Sequence, residues 1–382
     1  MDQKVDLLYE SNDENGLDQG TPVVSSYNEW DLLEEVIVGS VKGAAKMAFE
    51  PSIGAFFDLH DEYRSFKGGC YTEKEIEDAE LQLNTLANIL EKEGIVVRRP
   101  DDNDYKQPIS TPDFKIPYGH CHACPRDVLL VVGDEIIEAP MAQRARFFEY
   151  RVYRNLLKEY FNEGAKWSTA PKPLMNDLLY NQDYTTEYQP FDADKHHSLT
   201  EYEPCFDAAS FVRFGKDIFY QPDTVTNDFG ARWLQRHLGN TYRIHRISFS
   251  DRKPPQHLDT TLVPVSSKII LINPERPCAD NSLDIFTKNR WELVPAASSV
   301  RDVDHSFEVS NWISMNTLCI DENKVIVEEA EEPMIKLLES LGCEVITCKF
   351  DAVYKFGGSF HCCTVDIRRR GSLKSYFPSL DS

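Results

Sequence analysis

The 382-residue sequence has no apolar run long enough to cross a membrane, since nowhere do about 18 uncharged apolar residues follow one another. Met1-Asp2-Gln3-Lys4-Val5-Asp6 carries neither the basic segment nor the apolar core of a secretory signal, so a cytoplasmic protein is expected. Basic residues are scarce: 41 Lys and Arg stand against 63 Asp and Glu, a formal net charge of -22. Nucleic-acid binding needs Lys and Arg to neutralise phosphates, so such a partner is not expected, and Arg368-Arg369-Arg370 is too short a basic run to change that. An acidic field favours a cationic small molecule, although it also simply keeps a protein soluble. No phosphate-binding loop or dinucleotide fingerprint occurs. Cysteine, by contrast, appears ten times, and without a secretory signal these read as reduced thiols, mostly small core residues.

What the chain does contain is a recurring unit: two short apolar strands around a tight turn, an amphipathic helix, then another strand. Residues 1–24 are polar, acidic and aperiodic, and read as a flexible tail before it. The clearest copy runs Val128 to Val132, turns at Gly133-Asp134, returns as Glu135 to Glu138 and continues as a helix from about Ala142 to Phe161. Further copies start at Phe211, at Thr260 and at Ser314, the last read as a strand from Ser314 to Ile320. A fifth is split across the chain. Its strand is Glu35 to Gly39 and its helix Thr72 to Glu93, where Thr72 and Glu75 form a capping box and Ile76, Ala79, Leu83, Leu86 and Leu90 make one stripe. Pairing of residues 360–366 with the N-terminal strand would close a ring and leave no open edge. The expected fold is α/β, a five-module ring of ββαβ units with a central site, in one domain spanning 25–382 with a long surface insertion near 170–205.

The strongest chemical signal is Phe356-Gly357-Gly358-Ser359-Phe360-His361-Cys362-Cys363. A thiolate is the reactive form of cysteine and needs a base or cation to form at neutral pH. The segment reads as an extended strand, on which His361 and Cys362 point to opposite faces, so the base must be distant. The best distant histidine is His257, with Asp259 on the same face if that stretch is extended. Asp127 and Asp207 also begin or precede strands, either as turn formers or as inward carboxylates that could grip a guanidinium through bidentate hydrogen bonds. Gly119-His120-Cys121-His122-Ala123-Cys124 offers four metal ligands, but so closely spaced that they do not suit one tetrahedron, and no metal is expected.

These residues resemble the amidinotransferase family from Tyr27 to Phe377. The likeness rests on Asn28-Glu29-Trp30-Asp31, Pro125-Arg126-Asp127, Glu203-Pro204-Cys205-Phe206-Asp207-Ala208-Ala209, His257-Leu258-Asp259, Asn273-Pro274-Glu275-Arg276-Pro277-Cys278 and the His361-Cys362 segment. The resemblance implies the five-bladed α/β propeller called the pentein fold, and no metal or organic cofactor. It implies Cys362 as nucleophile, His257 as general acid and base, and Asp207 as its carboxylate partner. Asp127 and Asp259 would hold the donor guanidinium, with Arg276 and Ser310 at the amino-acid end of L-arginine. Partners would be L-arginine, an acceptor amine and a second copy of the chain in a homodimer.

Departures fall on the acceptor side, at Val309, Gln256 and Ser210. They point to a toxin-pathway enzyme, of saxitoxin type first and of cylindrospermopsin type, with glycine as acceptor, second. An arginine deiminase-like hydrolase and a zinc-binding or interaction protein are the alternatives.

Overall fold

A computed structural model describes residues 22–50, 52, 65–181, 198–249, 257–300 and 310–381. Gln256, Val309, the tail before residue 22 and the middle of the expected insertion, 182–197, lie outside them.

Among the described residues, five three-stranded sheets share one pairing rule: an antiparallel pair, a hairpin in four of them, then a parallel third strand reached through a helical crossover. In the first, Leu129–Val132 runs antiparallel to Glu135–Glu138, which is parallel to Lys166–Thr169. The hairpin turns at Gly133, whose φ of 61° suits glycine and where an added Cβ would sit 2.6 Å from the Tyr242 hydroxyl. The next three sheets are Phe211–Phe214, Asp217–Tyr220 and Arg243–Arg246; Leu262–Pro264, Ile269–Ile272 and Glu292–Pro295; and Leu318–Cys319, Lys324–Glu328 and Glu344–Cys348. The fifth joins the two ends of the sequence: Leu32–Val38 lies between Thr364–Arg370, antiparallel, and Val96–Arg98, parallel.

The helix Glu73–Lys92 shows how local signals place an element. Thr72 accepts from the Glu75 backbone while the Glu75 carboxylate accepts from the Thr72 N–H at 2.8 Å, so two otherwise unmatched donors are satisfied. Ala79, Leu83, Leu86 and Leu90 are buried on one face and share a core with Val36, Val38, Phe360, Cys362 and Cys363. Each buried leucine contributes about 1.5–3 kcal/mol. Gln82 on that face donates to Asp351 at 2.7 Å and accepts from the Ala352 N–H, which ties the helix to the turn ahead of the cysteine segment.

Three expectations need correction. Residues 360–363 are not extended, for the Cys363 N–H bonds Ser359 O at 2.8 Å and the strand begins only at Thr364. Gly357, at a φ of 88°, bends the chain, and Arg126 Nε donates to the carbonyls of His361 and Thr364 across the bend. Residues 311–315 form a 3₁₀ turn instead of a strand, leaving only Leu318–Cys319 paired. The expected helix from Ala142 breaks into 3₁₀ turns at Arg144–Arg146 and Glu149–Tyr153 before Arg154–Asn162 becomes α-helical.

Candidate active site

Pro125 opens a one-turn helix, Pro125–Val128, which sends Arg126 and Asp127 into two different charge clusters. Arg126 pairs with Glu29 and Asp366, which are also the partners of Arg213, while Arg369 holds Asp366 at 2.8 Å. Asp127 accepts from Arg146 at 2.7 Å; that guanidinium is also bonded to Glu149 and lies 3.6 Å from Asp207.

His257 joins the second cluster. Its Nε2 is 3.1 Å from Asp207 and its Nδ1 3.6 Å from Asp127. Its φ of 85° is a left-handed conformation that costs a non-glycine residue about 1–3 kcal/mol. Asp223 helps to hold it there by accepting the His257 N–H at 3.0 Å, while Gln221 donates to the His257 carbonyl. Burial pushes the imidazole pKa down, but the charge of Asp127 and the hydrogen bond to Asp207 outweigh it and raise the pKa to about 10. At neutral pH the ring is a cation.

Cys362 lies beside it. The ligand atoms of Asp127, His257 and Cys362 are all within 4.8 Å of one another, and Cys362 Sγ is 3.3 Å from Asp259 Oδ2. Burial and the nearby carboxylates of Asp259 and Asp127 push the thiol well above its ordinary range, so the resting sulfur is protonated. A metal ion bound by this trio would have to displace both the imidazole and the thiol protons, which opposes such binding. Burial also raises the pKa of Asp127, whereas for Asp259 the hydrogen bond and charge of His361 overcome burial and keep it ionised.

The bend at 360–363 has a direct consequence. His361 Nδ1 lies 2.8 Å from the same Asp259 oxygen that Cys362 approaches, so the two side chains converge and do not point apart. Two buried oxygens, Asp127 Oδ1 and Asp259 Oδ1, accept no hydrogen bond among the described residues. Such atoms are costly to bury and mark a place for a missing donor.

Five of the seven expected residues, Cys362, His257, Asp207, Asp127 and Asp259, thus meet at one centre. Arg276 is at one remove: its guanidinium lies over the Phe249 ring, bonds Thr261 and reaches Gln221 at 3.2 Å, the residue that bonds the His257 carbonyl. Ser310 is exposed and caps Trp312 N at 3.0 Å, although Trp312 Nε1 bonds Glu275, next to Arg276. His120 and His122 are buried and neutral, pushed by burial to about 3 and about 4, and the 120–124 segment forms no three-ligand group among the described residues. Sequence reasoning missed Arg146, Asp223 and Asn316. Nothing in their local pattern marks Arg146 or Asp223, whereas Asn316 stands shortly before a module's first strand, as Asp127 and Asp259 do.

The fold and site define an α/β protein with a thiol and a cationic imidazole among buried carboxylates. Relatives narrow this class. No protein-family model matches the chain. It is 45% identical over 361 residues to the mitochondrial glycine amidinotransferase of Gallus gallus, covering 93% of this chain and 85% of that protein. It is also 45% identical to the L-arginine:L-lysine amidinotransferase of Pseudomonas savastanoi pv. phaseolicola, covering 93% and 97%. Among solved structures it resembles SxtG, an amidinotransferase from Microseira wollei in the saxitoxin biosynthetic pathway, with 46% identity, a TM-score of 0.85 and coverage of 93% and 99%. The chain therefore belongs to the amidinotransferase family and is a transferase.

Proposed function

We propose that the chain moves the amidino group of L-arginine through a covalent amidino-cysteine on Cys362 to an acceptor primary amine, releasing L-ornithine. The observation that carries this reading is a pair of carboxylate oxygens buried beside the thiol, Asp259 Oδ1 and Asp127 Oδ1, which accept no hydrogen bond among the described residues, Asp127 Oδ1 being met only at 3.6 Å by His257 Nδ1. A guanidinium supplies the planar, charged donors such oxygens lack. Its charge also offsets that of the carboxylates which, together with burial, hold the thiol protonated, so the thiol gives up its proton to solvent as arginine binds and regains one after the product leaves.

The thiolate then attacks the central guanidinium carbon, and the bond from that carbon to the ornithine nitrogen breaks as His257 gives its proton to the departing amine. The raised pKa keeps the ring protonated and ready for this acid role, and Asp207 stabilises the charged ring. His257, now neutral, takes a proton from the incoming amine, which attacks the same carbon and expels the cysteine thiolate. Arg276 and Ser310 serve the amino-acid end of arginine, and no metal or organic cofactor takes part.

The acceptor is of the saxitoxin-pathway type, an amino-ketone derived from arginine, with glycine second. Support comes from the likeness to SxtG and from Ser210, a neutral buried hydroxyl bonded to Asp223 behind His257. Identity alone does not separate acceptors, because the glycine and lysine enzymes match almost equally well. The five sheets with one pairing rule support a five-bladed ring closed by Leu32–Val38, in one domain spanning 25–382. We read the protein as a cytoplasmic homodimer.

Intact-protein mass spectrometry after mixing with L-arginine alone is expected to show an amidino adduct that is lost in Cys362→Ala and kept in Cys363→Ala. The reverse pattern overturns the nucleophile assignment. Citrulline as the sole product in the presence of amines would make the protein a hydrolase.

A further inference from the structure

Four sheets bring a polar side chain to the centre from the approach to their first strand. Asp127 comes two residues before Leu129–Val132, Asp207 four before Phe211–Phe214, Asp259 three before Leu262–Pro264 and Cys362 two before Thr364–Arg370. The remaining sheet begins at Leu318, and two residues before it stands Asn316.

Asn316 is buried, and its carboxamide touches Cys362 twice. Oδ1 accepts from the Cys362 backbone N–H at 3.0 Å, and Nδ2 donates to Sγ at 3.2 Å. A carboxamide has its acceptor on one side and its donors on the other. A backbone N–H can only donate, so it fixes Oδ1 toward the chain and leaves Nδ2 facing sulfur. The other titratable groups around this sulfur are Asp259, Asp127 and Cys124, which oppose ionisation, and the imidazoles of His257 and His361.

We propose that Asn316 is a positioning residue for the nucleophile, aiming Sγ at the site of the guanidinium carbon and donating a hydrogen bond that strengthens as sulfur becomes thiolate. This rests on the reading of Cys362 as nucleophile. A neutral thiol gains little from an amide N–H, whereas a thiolate gains a charge-assisted bond, so the contact favours the ionised form. The same bond assists when the acceptor amine expels the cysteine from the amidino carbon.

Two variants separate this role from a merely structural one. Asn316→Asp keeps an oxygen for the Cys362 N–H but loses the donor to sulfur; Asn316→Ala loses both without adding a buried charge. Single-turnover adduct formation with saturating L-arginine is expected to slow by about tenfold or more at neutral pH in each variant, with the thiol limb of its pH profile moved alkaline by about one unit in Asn316→Asp. Arginine binding, read in a Cys362→Ala background, is expected to change by less than about threefold in Asn316→Ala, because the Asn316 carboxamide bonds Cys362 and not the carboxylates that hold the guanidinium. An unmoved pH limb with wild-type rate in both variants, or a loss confined to arginine affinity, overturns the proposal. Absence of an adduct in the wild-type protein overturns the nucleophile reading itself, so the two failures are distinguishable.

Discussion

Arg126 and Asp127 are neighbours in the chain, yet the clusters they enter obey opposite rules. Around Arg126, the guanidinium groups of Arg126, Arg213 and Arg369 meet the carboxylates of Glu29 and Asp366 in direct ion pairs. Burial alone would raise the Asp366 pKa, but the charges of the three arginines overcome it and hold the carboxyl well below its usual range. Around Asp127, acidic groups outnumber their partners, and Asp127 and Asp259 each keep an oxygen that accepts no hydrogen bond among the described residues. A closed charge cluster supports the fold; an open one leaves binding capacity for a cation. His361 connects them, with Nε2 3.3 Å from Glu29 and Nδ1 2.8 Å from Asp259.

Substitutions in each cluster can break this comparison. Asp366→Asn leaves buried arginines without their counter-charge and is expected to cost about 3–5 kcal/mol of stability, read from urea unfolding. A loss below about 1 kcal/mol would show that the cluster is not structural. Asp259→Asn is expected to do the reverse, lowering arginine turnover by about a hundredfold or more through loss of a guanidinium partner while leaving the urea midpoint close to wild type. Equal damage to both properties would erase the distinction.

Per pH unit, the gentlest effect is a slope. His257 titrates near 6.5 when unfolded and at about 10 when folded, so below about 6.5 both states are protonated and its stabilising contribution is fully present. As pH rises, the unfolded chain loses its proton first, and stability falls until the folded ring also deprotonates near 10, at no more than about 1.4 kcal/mol per pH unit. Denaturation between pH 6.5 and 10 should show a shallower fall in His257→Gln than in wild type. Parallel curves would mean that the carboxylates do not hold the ring protonated.

Local chemistry made much of the fold legible in sequence. Thr72 and Glu75 mark a helix start, Gly133 and Gly215 mark hairpin turns, and the apolar strands between them repeat with a recognisable period. The relation between His361 and Cys362 was less legible, because strand alternation assumes an extended chain. Gly357 and the bonds from Arg126 bend that chain, and residues distant in sequence supply the bend. Arg146 was hidden for a similar reason: its role depends on Asp127 and Asp207 coming together, which no local spacing records. Asn316 was obscured by an overlong strand assignment, although its position relative to Leu318 matches that of Cys362 relative to Thr364.

The sheet that joins Leu32–Val38 to Thr364–Arg370 also sets a timetable. A chain emerging from the ribosome makes its early strand long before that partner exists, and N-terminal parts fold first as they appear. Cys362 stands two residues before the late strand and takes its buried place in the same core as Val36 and Val38. The sulfur of Cys362 is thus installed among the last parts of the molecule, and a nascent or prematurely ended chain carries the carboxylates without the thiol they surround.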